Sequence, residues 1–346
     1  MTKKKALITG IRGQDGAYLA KHLLDQGYHV IGSDRRRVDL NNWRLKYLGV
    51  ENDVEYIYMD LLDEGSIIRT IQRTKPDELY NLAAQSFVGI SFDQPMLTTQ
   101  VDAIGVLRLL ETLRIQMPEC RFYQASTSEM FGKVLETPQT EKTSLNPRSP
   151  YGVAKVYGHF ITKNYRESFD MYACSGILFN HESPLRGIEF VTKKITNQVA
   201  QIKYGLSDKL TLGNIDAKRD WGYAKDYTYA MYLMLQQEVP DDYVISTGST
   251  YSVREFVINA FNYIGEIIVW EGKGINEVGR SSKSGKVLVD ISEEFYRPAE
   301  VDLLLGDSTK AQRHLGWVAK TDISELTQIM MDYDLAQTDY FVKNSQ

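Results

Sequence analysis

Tyr151 and Lys155 form the first pair of residues in the sequence whose types and spacing could do chemistry. Side chains four residues apart lie on one face of a helix, so the phenol and the ammonium are expected side by side. A free tyrosine titrates near pH ~10, and a neighbouring cation favours the phenolate and lowers that pKa. Tyr151 could then accept a proton from a substrate hydroxyl as a general base. The alternative is a Tyr/Lys pair on a helix surface without a catalytic role.

A second candidate group, Thr127 and Glu129, follows a predicted strand at Arg121–Ala125. Loops at the carboxyl ends of parallel strands are where ligands bind in open α/β sheets. Thr127 could polarise a carbonyl group, while Glu129 adds a second acid/base beside the reacting carbon. A plain alcohol dehydrogenase has no use for that second carboxylate, whereas an enzyme that eliminates water does. The alternative role of Glu129 is a carboxylate that stabilises the N-terminus of a helix.

Three glycines, Gly10, Gly13 and Gly16, lie between the first predicted strand and the first predicted helix. In this context glycines let the backbone turn tightly and approach a pyrophosphate, whose charge then lies at the helix N-terminus. The Gly-x-x-Gly-x-x-Gly spacing is typical of the short-chain dehydrogenase/reductase superfamily. The turn therefore predicts a dinucleotide cofactor.

The end of the second predicted strand carries signals for both forms of that cofactor. Asp34 could hold the ribose 2′-hydroxyl of NAD, whereas the run Arg35-Arg36-Arg37 could bind the 2′-phosphate of NADP. Three consecutive guanidinium groups repel one another unless an anion joins them, and arginine suits bidentate phosphate recognition. The sequence favours NADP, and the alternative is a solvated basic turn with Asp34 binding NAD.

Alternating strands and helices must position these residues. Strands are predicted at Ala6–Thr9, His29–Ser33, Glu55–Met59, Glu78–Asn81, Arg121–Ala125 and Tyr172–Leu178. Helices are predicted at Ala17–Gln26, Gly65–Thr74, Leu97–Gln116 and Tyr151–Phe169. Apolar strands separated by helices indicate a parallel sheet covered on both faces, so the fold class is α/β, a Rossmann-type doubly wound sheet.

The second half of the chain predicts a smaller C-terminal α/β lobe that binds the substrate. Helices are expected at Phe190–Tyr204, Ala224–Gln237 and Val253–Ile264, with a strand at Tyr243–Ser246. The Gly/Ser-rich segment Gly272–Lys286 carries four basic residues and is expected to be a solvated loop, with a lid over an anionic ligand as the alternative. Residues 1–180, with a return segment at about 222–247, are expected to hold the cofactor. Residues 181–221 and 248–346 would form the substrate lobe.

Composition excludes several classes of protein. The 346 residues include 40 basic and 45 acidic side chains, a net charge of −5, which argues against a duplex nucleic-acid binder. No segment approaches the ~20 consecutive apolar residues of a membrane span, so a cytoplasmic, soluble protein without a membrane partner is expected. Cys120 and Cys174 lie in apolar runs and are expected to be buried free thiols. No metal site is expected.

Longer motifs resemble those of the extended short-chain dehydrogenases/reductases, in the nucleotide-sugar 4,6-dehydratase group, and most closely the GDP-mannose 4,6-dehydratases. The similarity runs from Lys5 to about Leu335 and is carried by Gly10–Gly16, Tyr123–Glu129, Asn146–Tyr151, Ile177–Pro184, Lys218–Gly222 and Arg297–Val301.

The resemblance implies roles for particular residues. The catalytic residues would be Thr127, Glu129, Tyr151 and Lys155. The residues that bind NADP would be Gly10, Gly13, Gln14, Asp15, Gly16, Arg35, Arg36, Asp60, Leu61, Leu82, Ala83, Ala84, Gln85, Ser86, Tyr123, Lys155, His181 and Arg186. The residues that bind a GDP-sugar would be Ser86, Glu129, Asn180, Lys194, Arg219, Arg297 and Glu300. For Arg219 and Arg297 the alternative is a salt bridge between the two lobes.

The implied reaction converts GDP-mannose to GDP-4-keto-6-deoxymannose with a tightly bound NADP that is regenerated in each cycle. A GDP-manno-heptose is the main alternative substrate. A GDP-sugar epimerase or reductase, or a non-catalytic dinucleotide sensor, fits less well because Thr127, Glu129, Tyr151 and Lys155 are all present. A homodimer or homotetramer is implied by the same resemblance.

Overall fold

The computed structural model of the protein describes residues 3–35, 41–295 and 303–344. The strands are β1 (Lys5–Thr9), β2 (His29–Asp34), β3 (Glu55–Tyr58), β4 (Glu78–Asn81), β5 (Arg121–Thr127), β6 (Ala173–Leu178), β7 (Asn180–Glu182), β8 (Leu210–Leu212), β9 (Lys218–Arg219), β10 (Trp221–Tyr223), β11 (Tyr243–Ile245), β12 (Tyr251–Ser252), β13 (Ile268–Glu271), β14 (Val278–Ser281) and β15 (Val287–Ile291). The helices are α1 (Gln14–Asp25), α2 (Trp43–Tyr47), α3 (Glu64–Thr74), α4 (Ile90–Asp93), α5 (Pro95–Thr99), α6 (Gly105–Gln116), α7 (Pro150–Phe169), α8 (Val191–Lys203), α9 (Ala224–Leu235), α10 (Val253–Tyr263), α11 (Thr309–Leu315) and α12 (Ile323–Asn344).

The central sheet has the strand order β3-β2-β1-β4-β5-β6-β11, and every neighbouring pair is parallel. Successive residues of one strand serve opposite faces, as a pleated strand requires. In β1, Ala6 and Ile8 pack into one core cluster while Leu7 packs into the other. The predicted doubly wound α/β fold is confirmed. The order reverses between β1 and β4, and ligands bind at such a switch point, outside the carboxyl ends of the strands.

A four-stranded sheet, β13-β14-β15-β8, forms the centre of a second core. Its strands pack with α8, α10 and α12 through apolar side chains that include Val199, Phe256, Phe261 and Met330. No helix formed by the described residues is long and apolar enough to cross a bilayer. The short helix α11 is different, because its residues Ala311 and Leu315 pack with the core of the large sheet.

The prediction of a loop over Gly272–Lys286 is wrong for Val278–Ser281, which is strand β14 and pairs on both sides. The glycine that suggested a loop is a packing residue: a Cβ on Gly279 would lie 2.8 Å from Ile268 Cγ2 and 3.1 Å from Val289 Cβ. Three of the four cations are bound within the lobe itself. Arg280 Nε lies 2.8 Å from Glu271 Oε2, Lys286 Nζ 2.8 Å from Asp208 Oδ1, and Lys283 Nζ donates to the Gly265 carbonyl. These pairs also argue against a basic lid.

The long helix predicted over Leu97–Gln116 is interrupted. Between α5 and α6 the residues Gln100–Ile104 form a π-helical turn, which inserts extra residues into the helical path and rotates the side chains that follow. Asp102 and Ala103 point inward as a result and are buried. Apolar periodicity alone does not distinguish this turn from an ordinary helix.

Candidate active site

A cleft of about 510 Å³ lies at the switch point, a volume within the range of small-molecule sites. Twelve of the residues expected to bind a dinucleotide line it: Gly10, Gly13, Gln14, Arg35, Asp60, Leu61, Leu82, Ala83, Ala84, Gln85, Ser86 and Arg186. Asp15, Gly16, Tyr123, Lys155 and His181 are not among its lining residues. Arg36 lies outside the described residues.

The glycine turn has the shape expected of a phosphate cradle. Gly10 has φ +69°, and a Cβ there would lie 3.0 Å from the backbone of Ala83. A Cβ on Gly16 would lie 2.5 Å from the Gly10 carbonyl oxygen, so glycine at position 16 lets helix α1 pack closely against the turn. Helix α1 begins at Gln14 without a side-chain cap, which leaves its first N–H groups to a ligand. An anion is stabilised at such a terminus.

The half-buried Asp15 and the buried His181 form a pair behind that turn. His181 Nε2 lies 2.8 Å from Asp15 Oδ2, and Nδ1 lies 2.8 Å from the Phe179 carbonyl oxygen. Gln14 and Ser183 join the network, since Ser183 Oγ donates to Gln14 Oε1 at 2.7 Å. Burial opposes both charges, yet their attraction raises the pKa of His181 and lowers the pKa of Asp15. The two residues tie α1 to β7 rather than line the cleft.

Tyr123 lies in the core rather than at the cleft. It is fully buried on β5, and a Cβ on the neighbouring Gly176 would lie 2.5 Å from its hydroxyl oxygen. Burial raises its pKa well above the usual value. The cofactor contact implied for Tyr123 is therefore not supported by its position.

Arg12, a residue that the glycine spacing treats as arbitrary, lies at the end of the cleft beside Asp34. Its Nη1 lies 3.0 Å from Asp34 Oδ2, and its Nε donates to Asn42 Oδ1 at 2.7 Å. Asp34 also accepts the backbone N–H of Arg35 at 2.8 Å. The carboxylate is thus already neutralised by a guanidinium, while the side chain of Arg35 is exposed at the cleft.

A second wall of the cleft contains Arg44, which no sequence motif indicates, and Arg186, which the resemblance implied. Arg44 Nε donates to the Leu185 carbonyl at 2.6 Å, and its Nη1 donates to the Arg12 carbonyl at 3.1 Å. The guanidinium of Arg186 lies 3.6 Å above the Phe190 ring and forms an ion pair with Glu182 at 3.0 Å. Arg44 joins parts of the chain more than 100 residues apart, so only tertiary structure places it here.

The four expected catalytic residues come together at the carboxyl end of β5. Ser149 caps α7 by accepting the Gly152 N–H at 3.0 Å, and Pro150 follows at the first helical position, so Tyr151 lies in the first turn. Thr127 ends β5, and its Oγ1 accepts the Glu129 N–H at 3.2 Å. The Thr127 side chain is hydrogen-bonded to Tyr151, and the Glu129 charge acts on the same phenol. All but Thr127 are buried.

The electrostatics of this cluster differ from the sequence-based expectation. Burial raises the pKa of Tyr151, and the negative charges of Asp102 and Glu129 raise it further, against the Thr127 hydrogen bond and the charge of Arg186. Lys155 does not produce the predicted lowering, because its Nζ donates to the Ala125 carbonyl at 3.0 Å and lies 5.6 Å from the centre of the tyrosine ring. Burial lowers the pKa of Lys155, opposed by the charges of Asp102 and Asp15.

The residues expected to bind a GDP-sugar are spread over both parts of the chain. Ser86 borders the cleft, and Asn180 begins β7 opposite Trp221 of β10. Lys194 lies on α8 with its Nζ 3.3 Å from the centre of the Phe295 ring, and burial lowers its pKa. Arg219 is buried on β9, and its Nη1 donates to the Lys218 carbonyl at 2.9 Å. Arg297 and Glu300 lie outside the described residues.

Comparison with known proteins places this site in a family. Residues 7–330 match the family model described as GDP-mannose 4,6 dehydratase. The chain belongs to the GDP-mannose 4,6-dehydratase family. It is 52% identical to the GDP-mannose 4,6 dehydratase of Drosophila melanogaster, over 96% of this chain and 86% of that one. It is 50% identical to the human enzyme of that name, over 95% of this chain and 91% of the other.

Solved structures with much lower sequence identity share the fold of this member of the GDP-mannose 4,6-dehydratase family. DesIV, a dTDP-glucose 4,6-dehydratase from Streptomyces venezuelae with NAD and TYD bound, has a TM-score of 0.81 at 20% identity and covers 97% of this chain and 98% of its own. RMD from Pseudomonas aeruginosa, complexed with NADPH, has a TM-score of 0.75 at 21% identity and covers 97% of this chain and 100% of its own. Both likenesses support the architecture alone.

Proposed function

We propose that this chain is a GDP-mannose 4,6-dehydratase, a hydro-lyase that converts GDP-mannose to GDP-4-keto-6-deoxymannose with a bound dinucleotide. The observation that carries the proposal is the position of the buried Glu129 carboxylate, whose charge acts on the Tyr151 phenol at the end of β5. An oxidoreductase needs the phenol alone, whereas a dehydratase needs a second acid/base beside it. Family membership over nearly the full chain supports the same activity.

In the proposed mechanism each residue acts at a stated atom of the sugar. Tyr151 takes the proton of the C4 hydroxyl, and Thr127 holds the phenol and the C6 hydroxyl in place. A dinucleotide held in the cleft by residues such as Gly10, Gly13 and Arg186 would supply the hydride chemistry, as acceptor for the hydride of C4 and as donor to C6. The C4 ketone acidifies C5, where Glu129 removes the proton. Glu129 then gives that proton to the leaving C6 hydroxyl. After water has left, C5 takes up a proton from solvent, and Tyr151 releases to solvent the proton that it took from the C4 hydroxyl.

Glu129→Gln tests the dehydratase role. The variant should complete the oxidation at C4 and then stop, with product formation reduced by about 10²–10⁴-fold, as expected for a lost general base. Glu167→Gln, at an exposed position near the end of α7, is the matched control and should retain full activity. Wild type incubated in D₂O should incorporate deuterium at C5. Full turnover by Glu129→Gln would overturn the assignment.

A substrate comparison uses the same assay. We expect the specificity constant for GDP-mannose to exceed that for GDP-manno-heptose, measured side by side as 4-keto-6-deoxy product. A preference for the heptose would replace the proposed substrate while leaving the dehydratase chemistry intact.

We propose NADP rather than NAD as the cofactor. Three features support this choice: Asp34 is paired with Arg12, the Arg35 side chain is exposed at the cleft, and two further arginines follow it in sequence. An aspartate already paired with a guanidinium repels a 2′-phosphate less, and an arginine fork binds it. Arg35→Ala should weaken NADP⁺ binding by about tenfold or more, the value of one charge-assisted hydrogen bond, and leave NAD⁺ binding nearly unchanged. Equal losses for both, measured by calorimetric titration, would contradict the proposal.

We also propose that residues 1–180 and 222–247 hold the cofactor and that residues 181–221 and 248–346 hold the GDP-sugar.

We further propose that the chain forms a homo-oligomer. An apolar stripe on the outer face of α7 supports self-association: Val153, Tyr157 and Phe160 are 57%, 38% and 53% exposed. Such a stripe is self-complementary about a two-fold axis. Phe160→Glu should lower the mass measured by sedimentation equilibrium relative to wild type. A monomeric wild type would refute this part.

A further inference from the structure

The π-helical turn carries a buried carboxylate that the proposed mechanism does not use. Asp102 is 1% exposed, and its Oδ1 accepts the Gln85 N–H at 2.8 Å. Its Oδ2 is also buried and has no hydrogen-bond partner among the described residues. A buried carboxylate without full hydrogen bonding costs stability, so such a group calls for a functional explanation.

The surroundings of Asp102 point toward the catalytic cluster. The titratable groups whose charges couple with it both come from α7: Lys155, which favours its ionised form, and Tyr151, whose phenolate it disfavours. Close approach of the two helices permits this coupling. A Cβ on Gly158 of α7 would lie 3.1 Å from the Asp102 carbonyl oxygen, so glycine lets the π turn lie directly against α7.

Lys155 needs a counter-ion at this place. The lysine is 4% exposed, and its Nζ donates a hydrogen bond to a neutral group, the Ala125 carbonyl. Burial without a negative charge would drive the ammonium toward the neutral amine. Asp102 is the largest of the charges that oppose this change.

We propose that Asp102 is a positioning residue for the dehydratase: its carboxylate, presented by the π turn, is the counter-ion that keeps Lys155 an ammonium and sets the ionisation of Tyr151. The link through Gln85 also joins this charge to the loop after β4 that lines the cofactor cleft. The inference rests on the proposed function, because its main readout is turnover of GDP-mannose.

Asp102→Asn tests the charge without removing the contact, since an asparagine oxygen can still accept the Gln85 N–H. Loss of the negative charge lowers the pKa of Tyr151 and also the pKa of Lys155. Both limbs of the kcat/KM profile between pH 5 and 10 should therefore move about one unit toward lower pH, a typical shift for a nearby charge. At the alkaline limb this amounts to about a tenfold loss of kcat/KM.

Burial raises the pKa of Asp102 to about 6, which adds a second expectation. Below that pH the carboxyl is protonated in the wild type too, so the two profiles should converge there, and the shift of the acidic limb should be seen only above about pH 6. Glu141→Gln is the matched control: Glu141 has a pKa raised by burial and accepts one backbone N–H, from Val244 at 2.7 Å, but contacts the far edge strand β11. Both limbs of the kcat/KM profile of Glu141→Gln should lie at the same pH as those of the wild type.

The outcomes separate the two proposals. A wild type that forms no 4-keto-6-deoxy product from GDP-mannose refutes the proposed function. An active wild type whose profile is superimposable on that of Asp102→Asn refutes the role of Asp102, as does a uniform loss of activity at every pH. Should Asp102→Asn fail to fold by circular dichroism, Asp102→Ser is used, with the same shift of both limbs expected and the same superposition overturning it.

Discussion

The buried Tyr151 phenol can act as a base only if its phenolate form is stabilised. The chain alone raises the pKa of this group through burial and through two neighbouring carboxylates, Asp102 and Glu129. A phenol in that environment ionises only when a cation approaches, which is what an oxidised nicotinamide supplies when bound. We therefore expect the pKa of Tyr151 to be lower with an oxidised dinucleotide bound than without one.

Tyr151→Phe removes the proposed base while keeping the ring. We expect kcat to fall by about 10²–10⁴-fold, the usual contribution of a general base, with little change in the melting temperature. Tyr157→Phe changes the same helix at a partly exposed position and should leave kcat unchanged. Retention of activity by Tyr151→Phe in a product assay would place the base elsewhere.

Asp102 also makes a prediction about stability. Its pKa is raised from 3.8 to about 6 in the folded chain, so the folded state binds the proton more tightly than the unfolded state. The contribution of this group to stability is therefore present at low pH and lost as the pH rises from about 4 to about 6, by at most about 3 kcal/mol. The Asp102→Asn variant has no carboxylate at this position, so its free energy of unfolding does not fall in this way as the pH rises.

Urea unfolding at pH 4.5 and 7.5 measures the difference between the two proteins. Relative to wild type, Asp102→Asn should be more stable at pH 7.5 than at pH 4.5. Curves that differ by the same free energy at both pH values would show that the carboxylate is not destabilised by its site.

The site residues that the sequence predicted and those that it did not predict differ in how they are positioned. Tyr151, Glu129 and the glycine turn are recognisable because their function depends on local spacing. Arg12 and Asp102 were missed because their roles come from partners distant in sequence: Arg12 pairs with Asp34, and Asp102 faces inward only through the π turn. A lone aspartate in a long helical pattern is otherwise expected to face solvent.

At the scale of the element, α7 is the helix that sets the catalytic geometry. Its first turn carries Tyr151, its second carries Lys155, and the Ser149 cap fixes where the helix begins. The start was predicted within one residue, since Ser-Pro before a helical pattern is a strong signal. Strand β14 was missed because its glycine mimics a turn signal, although tight packing requires it.

Ser149→Ala removes the cap of this helix. Loss of the bond to the Gly152 N–H should lower the free energy of unfolding by about 1 kcal/mol, within the range of 0.5–2 known for such caps. Because Tyr151 lies two residues further on, kcat should fall as well. Ser168→Ala, at an exposed position near the end of α7, should change neither quantity in urea titrations and product assays. Equal effects of both substitutions would exclude a specific capping role.

At the scale of the whole molecule, the Asp15–His181 pair joins the start of the chain to the segment after β6. The pKa of His181 is raised in the fold, so its contribution to stability is complete below the unfolded value and is lost as the pH rises through the folded value. The pKa of Asp15 is lowered, so its contribution is lost only in acid. The pair therefore stabilises the fold most strongly in weakly acidic solution.

His181→Gln should reduce the melting temperature more at pH 5.5 than at pH 8.5. His22 provides a comparison of opposite sign, because burial lowers its pKa and its neutral form is favoured in the fold. His22→Gln should therefore show its larger effect at the higher pH. Identical pH trends for the two variants, followed by calorimetry, would contradict both assignments.

The order of strands in space has a consequence for synthesis of the chain. The edge strand β11 joins β6 only after the polypeptide has passed through β7 to β10, and β8 finds its partner β15 nearly 80 positions later. Neither sheet is complete when the ribosome has released the first two hundred residues. At that stage the edge of β6 has no neighbouring strand, because β11 has not yet been made. Truncation before residue 291 would leave β8 without its parallel neighbour.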